Sequence, residues 1–171
     1  LEYGNQRPLS ATWTVTGSGG VILEKAVGNN AAFSGKVCIK GVTTGKIVDY
    51  GVKDSFNMGA SMAPACADMI YANFKDFGVD ADYYDKIFTG DLGYVGQRIL
   101  IDLFKEKGVD ISKVHSDCGM IIFDQETQDT HAGGSGCGCA AATLCSYILK
   151  RMEEGEFKRV LFAPTGALMS T

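Results

Sequence analysis

No apolar run in the sequence approaches the roughly 20 residues that a membrane-spanning helix needs. The chain does not open on a charged segment followed by an apolar stretch and a cleavage site, so the pattern predicts an unsecreted, intracellular protein. A stripe of basic residues is missing too. Sixteen Lys and Arg stand against 20 Asp and Glu, a formal charge of −4. That balance excludes nucleic acid as the expected partner, because no cluster of cations is available to displace its counterions. Histidine is scarce: only His115 and His131 could serve as an imidazole base or ligand. No internal repeat, low-complexity tract or linker interrupts the chain.

What is present fits one globular domain. The chain has 171 residues, 46% apolar and 21% charged. Two of its six cysteines, Cys66 and Cys145, fall on apolar patterns, which reads as reduced thiols behaving as small hydrophobes rather than a disulfide framework. The opening Leu1-Glu2-Tyr3-Gly4 lacks an initiator methionine, and the chain stops soon after Thr165-Gly166-Ala167-Leu168, where another strand is expected. Both ends read as those of a piece of a longer protein.

Thr12–Thr16 is β-prone and predicts a strand that continues through Val21–Leu23 across a glycine kink. Lys36–Val48 predicts a second strand, paired to the first through a turn at Asn29-Asn30. A helix is expected from Ser61, with Pro64 in its first turn, with Ala63, Ala67, Ile70, Phe74 and Phe77 on one face, and with Gly78 as its stop. Then follow a strand at Tyr84–Thr89, a helix at Tyr94–Lys107 burying Val95, Ile99, Leu103 and Phe104, and a strand candidate at Gly119–Phe123. A third helix opens near Cys137 and buries Ala141, Leu144, Ile148 and Met152, and a last strand spans Lys158–Ala163. The order ββαβαβαβ predicts an α/β fold, a mixed, mostly parallel sheet flanked by helices.

Three segments could carry chemistry. Gly133-Gly134-Ser135-Gly136-Cys137-Gly138-Cys139 enters a helix, so its amides could face an anion; the glycines could equally serve tight packing alone. It is neither a Walker A loop, since no Lys follows, nor a dinucleotide fingerprint, since no acidic residue follows at a strand end; no cofactor is expected. Thr89-Gly90-Asp91-Leu92-Gly93 leaves a strand at the end where parallel sheets bind ligands, and Asp91 there is either a ligand contact or a helix cap. His115-Ser116-Asp117-Cys118 reads as a titratable loop. Its combination with Cys137 and Cys139 has the wrong spacing for a structural zinc site, so no metal is expected. Cys137 at a helix start could be an activated thiol, but neither histidine has an evident pairing with it. His131 beside Asp129 reads as a solvated loop residue.

Thr14 to Leu23 resembles the strand opening the second half of thiolases and ketoacyl synthases, and Gly133 to Ala142 resembles their glycine-rich turn into a buried helix. More narrowly, segments along the whole chain resemble the stage V sporulation protein AD family: Glu2-Tyr3-Gly4, Phe56-Asn57-Met58-Gly59, Met62-Ala63-Pro64-Ala65, Thr89-Gly90-Asp91-Leu92, Asp117-Cys118-Gly119, Gly133–Cys139 and Thr165-Gly166-Ala167-Leu168.

The resemblance implies the carboxy-terminal half of a thiolase-like protein, with its final strand and the half bearing the nucleophilic cysteine both missing. Condensing enzymes place a His or Asn after the strand matching Asp85–Thr89 and another in the glycine-rich turn. Here those places hold Gly90 and Asp91, and Gly133, Gly134 and Ser135, none an imidazole base. The resemblance therefore implies binding rather than catalysis: dipicolinic acid (pyridine-2,6-dicarboxylate) or its calcium chelate, taken up into the developing spore. The expected contacts are Asp91, His115, Asp117, Cys118, Ser135, Gly136, Cys137 and Cys139. It also implies a homodimer, peripheral to the spore inner membrane, docked on other membrane proteins of the stage V sporulation A group. Residual acyl transfer and a purely structural role stay open beside it.

Overall fold

The computed structural model describes residues 7–25 and 37–168. Its first long element, α1 (Met58–Phe77), begins one turn before the expected Ser61, because the Asn57 side chain accepts a hydrogen bond from the Ala60 amide and caps it there. Pro64 consequently sits in the second turn rather than the first. Met62, Ala63, Cys66, Ala67, Ile70 and Phe74 form the buried face, Phe77 is exposed, and Gly78 closes the helix in the left-handed conformation.

A parallel sheet follows, with β2 (Lys86–Thr89) between β3 (His115–Asp117) and β5 (Val160–Ala163). Alternation along β2 divides the core. Ile87 faces α1 and α2 (Gly93–Glu106), while Phe88 faces the opposite layer, with Cys139, Ile148 and Phe157. On α2 the buried residues are Gly93, Gly96, Leu100 and Phe104. The expected Val95, Ile99 and Leu103 are half-buried, so the inward stripe is turned by about one residue. Gly96 and Gly59 let the two helices touch backbone to backbone: a Cβ on Gly59 would stand 2.4 Å from the Leu92 carbonyl oxygen.

The layer on Phe88's side is a continuous helical run: α4 (Cys137–Thr143), a π-helical turn at Leu144–Ile148, and α5 (Leu149–Glu153). Of its expected inward residues only Ile148 is fully buried; Ala141, Leu144 and Met152 are half-buried, and Cys139 and Thr143 are buried instead. A second parallel pair joins β1 (Trp13–Thr14) to β4 (Gly134–Ser135).

Three expected strands are not formed. Val21–Leu23 carries no ladder and is exposed. Residues 37–48 are likewise unladdered; they run beside α1, held by a Thr43–Asn73 hydrogen bond of 2.8 Å and a Lys46–Asp68 ion pair of 3.0 Å, with Ile47 97% exposed. The Asn29-Asn30 turn lies outside the described residues. Gly119–Phe123 is not a strand either: β3 ends at Asp117, whose carboxylate accepts the Gly119 amide and starts the short helix α3 (Cys118–Ile121). No helix among the described residues is long and apolar enough to cross a membrane.

Candidate functional site

Because all strands of the three-stranded sheet are parallel, their carboxyl ends gather on one edge, and the loops after β2 and β5 meet the β4–α4 turn there. A cavity of about 450 Å³ opens at this edge. Phe56, Met58, Met62, Ala140, Pro164 and Ala167 supply apolar walls; Arg7, Thr12, Asp91, Ser135 and Cys137 supply polar ones.

Part of the Gly133–Cys139 turn is already engaged within the fold. Gly136, at φ +99° where a side chain would be strained, donates its N–H to Asp91 Oδ2 at 3.0 Å, and its carbonyl accepts the Cys139 amide. The two glycine-bearing junctions are thus tied to each other. Asp91 caps no helix; it stands at the cavity wall, and burial raises its carboxyl to about 6, opposed by the Gly136 hydrogen bond and helped by the neighbouring Asp117. Ser135 accepts a hydrogen bond from the Thr12 hydroxyl at 2.7 Å.

The His115–Cys118 segment is not a loop but strand β3 and the start of α3, and it lies beneath the cavity rather than on it. Asp117 is fully buried and accepts four hydrogen bonds. The Thr89 hydroxyl and the Leu92 amide reach Oδ1, and the Gly93 and Gly119 amides reach Oδ2 at 2.9 and 3.0 Å. Every lone-pair position of the carboxylate is filled, and one side chain serves the starts of both α2 and α3. Burial pushes its carboxyl up, against these four bonds.

Since the Thr89 hydroxyl donates to Asp117, it must accept from His115 Nε2 at 3.0 Å, and His115 Nδ1 then accepts from the Gln97 amide at 3.1 Å. Direction is thereby fixed along the whole line. His115 is a neutral imidazole with a structural proton, and burial lowers its pKa to about 4, with Lys86 adding to the effect.

Cys118 and Cys139 are also sealed in the layer below: burial pushes both thiols up, Cys139 to about 12. Cys66 is buried and raised for the same reason, while Cys137 is exposed at the cavity wall. Cys66, Cys118, Cys137, Cys139 and Cys145 are free thiols. Among the described residues, no group of three or more His, Cys, Asp or Glu is placed to hold a metal. His131 is not a solvated loop residue. Its side chain is 10% exposed, Nδ1 lies 2.9 Å from the Pro8 carbonyl and Nε2 lies 3.1 Å from Asp129.

Of the eight expected contacts, the structure brings Asp91, Ser135, Gly136 and Cys137 to the cavity and places His115, Asp117, Cys118 and Cys139 behind it. The sequence reading missed Arg7. It stands alone before the first β-prone run, without a periodic pattern or motif to mark it, and only the fold carries it to the cavity.

The family model described as stage V sporulation protein AD matches residues 1–171. The stage V sporulation protein AD of Bacillus subtilis (strain 168) is 46% identical over 169 residues, which cover 99% of this chain and 48% of that protein. The chain thus spans about half the length of the curated relative it matches.

Proposed function

The chain belongs to the stage V sporulation protein AD family, and from that premise we propose that it is a non-catalytic, small-molecule-binding part of a sporulation complex. Its ligand, on this reading, is dipicolinic acid or its calcium chelate, bound for uptake into the developing spore. The observation that carries the reading is the cavity at the carboxyl edge of the sheet, large enough for a single aromatic ring, with apolar walls and a buried arginine. A planar dianion needs both features: contact for the ring and a cation for a carboxylate. Asp91, whose carboxyl burial raises to about 6, is neutral below that pH and is compatible with an anion there on the acid side.

Binding is favoured over acyl transfer by the placement of the histidines. No histidine is found among the described residues that line the cavity, and His115 is committed to a buried hydrogen-bonded line. We extend the proposal to the setting the family resemblance implies: a single thiolase-like domain, the carboxy-terminal half of a homodimeric protein lying against the spore inner membrane and docked on the membrane proteins of its complex. Titration calorimetry of the full natural chain carrying this sequence tests the ligand, with dipicolinate alone and with calcium. Saturable binding is expected, and its absence in both arms would overturn the reading.

A further inference from the structure

Arg7 is only 7% exposed, yet its guanidinium is incompletely satisfied. Nη2 donates to the Asp129 carbonyl at 3.2 Å, and the guanidinium carbon stands 4.3 Å from the centroid of the Trp13 ring. Nε and Nη1 have no hydrogen-bond partner, and no carboxylate is ion-paired with this arginine among the described residues. An arginine stays charged at any relevant pH, so a buried one cannot relieve its desolvation by losing a proton. The Trp13 ring takes one face of the plane, and the Asp129 carbonyl holds one nitrogen. Nε and Nη1 are themselves shielded from solvent, so what stands at the cavity wall is a buried, incompletely satisfied guanidinium charge with no carboxylate beside it.

We propose that Arg7 is the carboxylate anchor of this cavity: its guanidinium, a buried charge without a counter-ion, receives a carboxylate of a planar ligand, and it selects anionic over neutral molecules. The inference rests on the reading of the cavity as a ligand site and adds the residue that makes it specific. Trp13 and the Asp129 carbonyl hold the guanidinium in place before a ligand arrives, so little side-chain freedom remains to be lost on binding.

The test is titration calorimetry on the full natural chain, as wild type and as Arg7→Met and Arg7→Lys, with three probes: dipicolinate, benzoate and the neutral pyridine-2,6-dicarboxamide. Arg7→Met is expected to weaken dipicolinate on the order of 100-fold, as loss of one partner of a buried charge pair does. Arg7→Lys is expected to lose less, since it keeps the charge but not the planar donor set. The diamide is expected to bind weakly and to ignore both changes. Melting of the ligand-free protein separates this role from a structural one. Removing an unsatisfied buried cation should hold or raise the melting temperature, whereas an arginine needed for folding would lower it.

Equal dipicolinate affinity in wild type and Arg7→Met would overturn the anchor and leave the cavity reading standing. Benzoate binding that depends on Arg7, without dipicolinate binding, would uphold the anchor and sink the dipicolinate assignment. If no carboxylate binds the wild type, both fail. Should Arg7→Met not fold, Arg7→Lys decides, and unchanged dipicolinate affinity there overturns the anchor.

Discussion

The junction after β2 and the junction after β3 each hold an aspartate where a strand gives way to a helix, and the two carboxyls are treated oppositely. Asp117 is closed off. Four donors converge on it, and two helix starts depend on it. Asp91 receives a hydrogen bond from Gly136 and stands at a cavity wall, where burial pushes it toward neutrality. The lesson is that burial alone does not decide what a carboxylate does; the number of donors that follow it inside does. One aspartate organises the fold and the other is left poised at its edge.

The largest test of this contrast is Asp117→Ala. It leaves the Leu92, Gly93 and Gly119 amides and the Thr89 hydroxyl without their acceptor and should cost about 3–5 kcal/mol. Urea unfolding measures it, and a loss below about 1 kcal/mol would break the comparison.

Asp91→Asn should do the reverse. The folded state keeps the Asp91 proton up to about pH 6, whereas the unfolded chain releases it near 3.8. The stability this group contributes is therefore present below the unfolded value and lost as pH rises through about 6. At pH 7 the asparagine, which keeps an oxygen for the Gly136 amide, should stabilise the protein on the order of 2 kcal/mol.

His115 runs the other way. The unfolded chain takes up its proton near 6.5 and the folded one only near 4, so stability present above the unfolded value is lost as pH falls toward the folded one. The two slopes oppose each other over much of the same range. Asp91→Asn should therefore steepen the loss of melting temperature on acidification between about 6.5 and 4, and an unchanged slope would contradict the assignment.

Smaller effects sharpen the picture. Thr89→Val removes the hydroxyl between His115 and Asp117 and should cost about 1–2 kcal/mol by denaturant unfolding. Asn57→Ala, which removes the α1 cap away from both junctions, should cost about 1 kcal/mol and leave the pH profile of melting unchanged.

The sequence shows some of this plainly and hides the rest for identifiable reasons. Helix ends are legible because Gly78, Gly108 and Gly155 take the left-handed conformation that stops each one. The parallel pairing of β2 with β5 follows from alternation with helices, whereas β3 (His115–Asp117) was expected downstream at Gly119–Phe123. The stretch around Ile39, Val42 and Ile47 has strand composition but is tethered through polar side chains to α1, and composition alone cannot distinguish a tether from a ladder. Half of the candidate site was readable from the glycine junctions. Asp117 was misplaced because its inward orientation is set by amides from residues 92 and 93, distant in sequence, and Arg7 because no motif surrounds it.

The distribution of thiols has a practical consequence. Cys118 and Cys139 are sealed beneath the site while Cys137 stands on its wall. The molecule thus carries a natural attachment point for an alkylating dye beside the place where a ligand would sit. With the outlying Cys38 and Cys145 replaced by serine, slower labelling there when the cavity fills would serve as a direct optical gauge of occupancy, the sealed neighbours contributing almost no background.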